Sequence, residues 1–529
     1  MWKKIVLIIS VIAVLSGSFI TCAGYSKAEY KVINIKSGSI RGTVEDGVSA
    51  FLGIPYAAPP TGELRWREPQ ANSPWDGTRD CTKYGPACPQ PKTIFYNVDN
   101  MNEDCLNLNV WTPSQSSGDK LPVMVWIHGG SFTTGAGSLR MYEGKNLARN
   151  GVVIVTINYR LGPLGFLSHP LLSKESGRVA SGNYGLLDQI AALKWVKQNI
   201  ADFGGNPDNV TIFGESAGGA CVCDLMVSPL ADGLFQQAVS ESGSFSDAYP
   251  SYKEDTVAKA EGTGLELQSK LGCDKAADPL AAMRSKTADE VVRAAYLDYS
   301  SGGASKYRPV VDGWVIPDNP WTMFSAGKQV KVPLLIGTNA DEGSIFLIPD
   351  PKVLKMSRRD YESYVKSLYP RDYEAVLTLF PASDSQSVLQ AMIKLRTIMN
   401  FSAGALHAAD TAADCGSKVY MYQFSRVPNT MLKLAGAFHG LEIFYLFGNL
   451  RADRVAIPDD RTDLALSKTM MQYWTNFTKT GDPNGTQLPQ WPIYEAGVGK
   501  YIILDEPLTT SSGLYSAYYD LIKKVTPQE

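Results

Sequence analysis

The stretch that most constrains this chain is Gly214-Glu215-Ser216-Ala217-Gly218. Before it runs Asn209-Val210-Thr211-Ile212-Phe213, a short apolar segment that reads as a buried strand. After it, Gly219-Ala220-Cys221-Val222-Cys223-Asp224-Leu225-Met226 reads as a helix start. A backbone that passes from strand to helix in so few residues turns sharply, and only small residues fit two positions either side of the serine. The turn would leave the Ser216 hydroxyl exposed above a sheet, at a helix N-terminus whose dipole favours developing negative charge. Without these flanks the plain reading is a Gly-rich turn capping a helix. With them it is a serine nucleophile.

The rest of the chain supplies the sheet. Residues 30–55 read as short strands, and 103–111 alternates like a half-buried one. Leu121 to Ile127 reads as a central strand running into His128-Gly129-Gly130-Ser131-Phe132. Further strands are expected at 151–158, 236–240, 332–337, 418–424 and 501–504. Asp188 to Asn199 carries a helical repeat, with Ile190, Leu193, Val196 and Ile200 on one face, and Leu464 to Thr480 reads as a long helix. Strands alternating with helices imply an α/β fold with a mostly parallel sheet covered on both faces. Ligands of such sheets bind beyond the carboxyl ends of the strands, where both Ser216 and the Gly129-Gly130 loop fall. The helix-rich stretches 249–307 and 353–409 are expected to roof that end. No linker interrupts the alternation, so residues 29–529 read as a single domain.

Charge narrows the partners. Fifty basic residues against 53 acidic ones give a net charge of −3, with no run of like charge, which speaks against nucleic acid. Residues 1–28 read as a secretory signal: Lys3-Lys4, then the apolar run Ile5 to Leu15, too short and wrongly flanked to span a membrane. Phe19-Ile20-Thr21 is a poor match to the small residues that precede an acylated cysteine, which argues against lipidation at Cys22. Export permits disulfides. Eight cysteines in 529 residues can staple loops but cannot build a scaffold. Cys221 and Cys223 lie two apart on a helix, face different ways and read as small buried hydrophobes. No Cys/His spacing suggests a zinc site. The sequence is silent on oligomeric state and on the pairing of Cys81, Cys273 and Cys415.

A serine hydroxyl needs a base, usually histidine. The chain has four histidines. His128 belongs to the Gly-rich loop, His169 to a turn, and His407 to an amphipathic helix where a structural role is the simpler reading. His439, in Gly436-Ala437-Phe438-His439-Gly440, follows a late strand, and its loop setting favours it as the base. Chain order in proteins with such a turn is nucleophile, acid, histidine. The acid is then expected in Asn339-Ala340-Asp341-Glu342-Gly343, where spacing alone leaves Asp341 and Glu342 both open. Glu215 cannot readily reach the far side of an imidazole bound to Ser216 and is assigned to the pocket wall. Backbone N–H donors for an oxyanion are expected from Ala217 and from the Gly129-Gly130-Ser131 loop.

At this point the chain resembles a type B carboxylesterase, of the cholinesterase-like and para-nitrobenzyl esterase-like group with the α/β-hydrolase fold. The likeness runs from about Tyr30 to the C-terminus and rests on four motifs: Phe51-Leu52-Gly53-Ile54-Pro55-Tyr56-Ala57, Glu103-Asp104-Cys105-Leu106-Asn107-Leu108-Asn109, Phe203-Gly204-Gly205-Asn206-Pro207 and Phe213-Gly214-Glu215-Ser216-Ala217-Gly218-Gly219. The resemblance implies Ser216 as nucleophile, Glu342 rather than Asp341 as acid, and His439 as base. It implies Gly130, Ser131 and Ala217 as oxyanion donors and a Cys88–Cys105 disulfide, with Cys81 as the competing partner. Ser131 departs from the glycine usual at its position; its backbone donor survives, while its side chain adds bulk near the acyl group. The implied activity is two-step hydrolysis of small esters through an acyl-enzyme, needing no cofactor or metal. The rival readings are an inactive binding module, which a complete triad argues against, and amide or thioester hydrolysis by the same residues. Cholinesterases hold the quaternary ammonium on a tryptophan in the loop corresponding to 88–105. That loop has no tryptophan here; it offers Phe95, Tyr96 and Lys92. Glu215, in the pocket with Phe132, would attract positive charge, but the missing platform and the apolar roof point to neutral esters with short or medium acyl chains.

Overall fold

A computed structural model describes residues 29–93, 97–245, 256–296, 306–452, 455–458, 460–518 and 521. The expected signal segment 1–28, with Cys22, and the pocket residue Phe95 lie outside the described residues.

Period-two alternation builds the centre of the molecule. Along the strand Leu121–Ile127, Val123, Val125 and Ile127 point into one apolar cluster, and Met124 and Trp126 into a second. Leu334, Ile336 and Leu335 divide between the same two clusters. A strand whose side chains are buried on both faces belongs in the middle of a sheet with a layer on each side. The sheet contains thirteen described strands. These are β1 (Glu29–Ile35), β2 (Gly38–Glu45), β3 (Val48–Pro55), β4 (Thr78–Asp80), β5 (Asn107–Thr112), β6 (Leu121–Ile127), β7 (Val153–Ile157), β8 (Gly205–Glu215), β9 (Gln237–Glu241), β10 (Leu334–Asn339), β11 (Val419–Phe424), β12 (Tyr501–Leu504) and β13 (Thr509–Ser511). Their order is β1-β2-β3-β5-β7-β6-β8-β9-β10-β11-β12-β13, with β4 beside β2. From β7 to β12 every pairing is parallel, and the antiparallel pairs lie at the two ends.

Helices α1 (Tyr184–Asn199) and α2 (Ala217–Val227) pack on the first face, and the long helix α5 (Arg461–Thr480) buries Leu466, Met470, Tyr473, Trp474 and Phe477 on the second. Between β10 and β11 lie α3 (Ser385–Thr397) and α4 (Ala403–Asp414), joined by the π-helical turn Ile398–Ser402. Helix α1 starts four residues before the sequence places it. Asp188, the first residue of the expected span, is fully buried and takes both Nε and Nη2 of Arg160 at 2.8 and 2.7 Å. An ion pair inside the core is invisible to a pattern of apolar spacing.

Cys88 and Cys105 are bonded, while Cys81, Cys221, Cys223 and Cys273 are buried as free thiols. The closed loop is fastened to its surroundings. Gln90 accepts from Gly135 N and donates to Gly135 O, both at 2.8 Å, on the turn that follows Gly129 and Gly130. Glu103 holds the guanidinium of Arg65 in two contacts of 2.5 and 2.6 Å. On the chain-entropy account, a loop spanning 17 positions contributes roughly 3 kcal/mol through the unfolded state. The double variant Cys88→Ser/Cys105→Ser should therefore unfold at lower urea concentration by about that free energy. A midpoint equal to that of the oxidised parent would refute the stapling role.

Candidate active site

The sharp turn is present where the sequence places it. β8 ends at Glu215, α2 begins at Ala217, and Ser216 between them has φ 57° and ψ −124°. A non-glycine residue there is strained and persists only if its surroundings enforce it. The surroundings do so through backbone contacts. Ser216 N–H donates to Glu241 O on β9 at 2.9 Å, and Ser216 O accepts from Ala220 N at 3.0 Å. At Gly218 any Cβ would collide with the carbonyl oxygen of Ile127 at the end of β6. At Gly129 a Cβ would stand 2.9 Å from Ser216 Cβ and 2.7 Å from Glu215 O. The Gly-rich loop therefore lies directly against the serine. Ser131 and Phe132 in that loop also have positive φ, 54° and 58°. Among the described residues none of the N–H groups of Gly130, Ser131 and Ala217 donates a hydrogen bond. Phe132 is buried, its ring edge-on to Phe166 at 5.5 Å.

β10 and β11 deliver the remaining groups. After β10, the turn 340–343 carries Asp341 and Glu342, and the loop after β11 carries His439. The two carboxylates diverge. Glu342 is fully buried; one oxygen accepts Asn339 N at 2.7 Å and the other stands 2.6 Å from His439 Nδ1. Asp341 turns away and ties the two loops together, accepting Ala437 N on Oδ2 at 2.9 Å and donating its own N–H to Ala437 O at 3.1 Å. The other nitrogen of His439 faces the strand-to-helix turn. His439 Nε2 lies 3.1 Å from Glu215 Oε1, and the Ser216 side chain makes no hydrogen bond within the described residues. Glu215 thus meets the imidazole at Nε2, across the ring from the nitrogen that faces Glu342.

Burial by itself would lower the His439 pKa. The facing carboxylates of Glu215 and Glu342 outweigh it and raise the pKa to about 9. Burial raises the Glu215 carboxyl to about 7 against the pull of the imidazolium. The two shifts describe one buried pair that keeps its proton on the imidazole through the neutral range. The other histidines are placed elsewhere. His128 is buried and stacked on Tyr159 at 4.5 Å, and burial lowers its pKa to about 4. His407 is stacked on Trp321 at 3.7 Å, and burial lowers its pKa likewise to about 4. His169 caps a helix by accepting Leu171 N.

Four neighbours of this site carry no sequence signal. Phe346 and Phe401 place their rings 5.2 and 4.7 Å from the His439 ring, Phe401 being delivered by the π-helical turn. Glu442 and Glu241 are fully buried carboxyls behind it. Asn339 Nδ2 donates to Glu442, and Trp474 Nε1 donates to Glu241 at 3.0 Å. Burial pushes both carboxyls well above the usual range. Among the described residues no group of His, Cys, Asp and Glu is arranged to hold a metal ion, and no helix is long and apolar enough to cross a membrane.

Comparison with known proteins places this arrangement. The family model described as carboxylesterase family matches residues 29–522. The para-nitrobenzyl esterase of Bacillus subtilis (strain 168) is 37% identical over 494 residues, covering 91% of this chain and 96% of that protein. The acetylcholinesterase of Bungarus fasciatus is 36% identical over 555 residues, covering 97% and 88%. Among solved structures, a Geobacillus stearothermophilus carboxylesterase superposes with a TM-score of 0.82 at 34% identity, covering 94% of this chain and all of that one (100%). A serine on a strained strand-to-helix turn, with an imidazole and a buried glutamate beside it, thus sits in a chain that belongs to the carboxylesterase family and is a carboxylic ester hydrolase with the α/β-hydrolase fold.

Proposed function

We propose that Ser216, His439 and Glu342 form the catalytic triad for hydrolysis of small neutral esters. The observation that carries this is the 2.6 Å contact of Glu342 with His439 Nδ1, which leaves Nε2 directed at the turn bearing Ser216. In the reaction the neutral form of His439, protonated only on Nδ1, turns Nε2 from Glu215, takes the Ser216 proton, and Oγ attacks the ester carbonyl. The oxyanion forms against the N–H groups of Gly130, Ser131 and Ala217. His439 returns the proton to the departing alkoxide, and water repeats the sequence on the acyl-enzyme. Glu342 fixes the tautomer and stabilises the imidazolium. Residues 29–529 act as one domain, and the chain is exported by the basic and apolar segment at 1–28, in keeping with the Cys88–Cys105 bond.

Ser216→Ala should lower kcat by several orders of magnitude, on the order of 10⁶-fold by comparison with a well-studied triad. Circular dichroism should show the fold retained. Undiminished p-nitrophenyl butyrate hydrolysis by that variant would sink the mechanism.

The base must be neutral to accept the serine proton, and the His439 pKa is raised to about 9. Activity is therefore suppressed at low pH, and kcat/KM rises into the alkaline range. Removing a facing negative charge lowers the imidazole pKa. Glu215→Gln should shift the acid limb of the kcat/KM profile to lower pH. An acid limb that stays in place would show that Glu215 does not set the charge state of the base.

The neutral preference rests on the loop 88–105, which contains no tryptophan and holds Lys92 exposed. A cation–π platform is worth roughly 2 kcal/mol when desolvated, and its absence removes that discrimination. The kcat/KM for a neutral thioester should exceed that for the acyl-matched thiocholine ester. Equal or faster turnover of acetylthiocholine or butyrylthiocholine would overturn this preference.

A further inference from the structure

Asp341 has a second face. Asp341 lines a cavity of about 450 Å³, together with Phe380, Ile393, Lys394, Gln423 and Tyr515. Neither Ser216 nor His439 lines this cavity. Six of its twelve lining residues are apolar and six carry polar groups; a small-molecule site combines apolar walls with a few placed polar groups.

Asp341 and Lys394 are the two charged residues of the lining, and they form no ion pair with each other. Asp341 is partly buried, and among the described residues its carboxylate has one hydrogen-bond partner, Ala437 N, and no cation in ion-pair range. Burial raises the Asp341 pKa, and the neighbouring Glu342 raises it further. The Tyr515 hydroxyl accepts from Gln423 Nε2 at 2.9 Å, and its pKa is raised by burial first and then by the nearby Glu342 and Asp341. The one basic group at the cavity, Lys394, is exposed and holds its ammonium 4.8 Å from the centre of the Tyr518 ring. Among the described residues the Asp341 carboxylate thus has no ion-pair partner, although Lys394 lines the same cavity, and the rings of Phe380 and Tyr515 stand in its wall.

We propose that this cavity binds an organic ammonium ion with an apolar substituent, its charge on Asp341 and its hydrocarbon against Phe380, Ile393 and Tyr515. The ammonium makes a charge-assisted hydrogen bond to the carboxylate and faces aromatic rings, the two interactions that suit a desolvated cation. Occupancy reaches the active site through the backbone. Asp341 adjoins Glu342 and bonds Ala437, two residues before His439, so an ammonium drawing on the carboxylate loosens the tie between the two triad loops. The amine therefore lowers kcat while leaving KM unchanged.

The test uses 2-phenylethylamine as probe, 2-phenylethanol as its uncharged counterpart and potassium chloride as the bare cation, each titrated into the whole protein by calorimetry. The amine should bind saturably at one site per chain, and the alcohol and potassium should not. Asp341→Asn should weaken amine binding about tenfold or more, the size expected for losing a hydrogen bond to a charged group. Gln390→Trp, at the exposed rim of the cavity, should weaken binding by blocking entry while keeping Asp341, and it serves if Asp341→Asn does not fold. Ester hydrolysis in the presence of the amine should show reduced kcat at constant KM. The proposal is overturned by absence of saturable binding, by equal binding of the alcohol, by potassium occupying the same site, or by affinity unchanged in the variants. It is equally overturned by a rise in KM alone, which would place the amine in the ester pocket beside Glu215. Calorimetric binding does not depend on the triad assignment, so failure of that assignment leaves this result readable.

Discussion

The site depends on how closely three parallel strands bring their backbones together. β6, β8 and β9 end side by side, and the turn after β8 is wedged between the other two. The Ile127 carbonyl excludes any side chain at Gly218, and the Glu241 carbonyl holds the Ser216 N–H. The φ of 57° at Ser216 follows from these neighbours. The same crowding presses Gly129 against the serine, so the loop with unused N–H groups is placed by the packing that strains Ser216. Strain and donor placement have one cause. The cost of the strain, of order 1–3 kcal/mol per such residue, is borne by a sheet buried on both faces.

The second constraint is electrostatic. Glu215, Glu342 and Glu442 are buried around a single imidazole, and Glu241 is buried next to Glu442. Four carboxylates cannot all stay ionised in so small a volume without cations. Only two of them, Glu215 and Glu342, touch the histidine, and these raise its pKa. Glu241 and Glu442 are held by Trp474 and Asn339, and burial favours their neutral forms. The buried acidic groups therefore divide by contact into those that act as charges and those that behave as polar packing.

Much of this was legible in the sequence because it was written in local pattern. The apolar pattern located most inner strands to within about two residues, though β8 begins four residues before the stretch read at 209–213, and the small residues around Ser216 announced the turn. Long-range pairing was less accessible. Spacing left Asp341 and Glu342 equivalent, and the difference between them lies in which carboxylate the backbone turns toward His439. Resemblance chose Glu342; the fold adds that Asp341 is committed to Ala437. Glu442 sits three residues after His439, yet nothing in its surroundings distinguishes a buried carboxyl from a solvated one. Phe346 and Phe401 are 55 positions apart and meet the imidazole only because the helices between β10 and β11 fold back on the acid turn.

The join between α3 and α4 sets where one of those rings points. A π-helical turn holds one residue more than the α-helical turn it replaces, and in an α-helix each residue advances the side-chain direction by about 100°. Ile398–Ser402 therefore works as a phase shift between two helices that otherwise run on as one. Phe401 lies within the shifted turn, while the buried face of α4 lies beyond it. The number of residues in this helix, and not only their identity, is thereby part of the active-site design. Relatives that gain or lose a single residue here would keep both helices and their cores while turning a different side chain toward the imidazole.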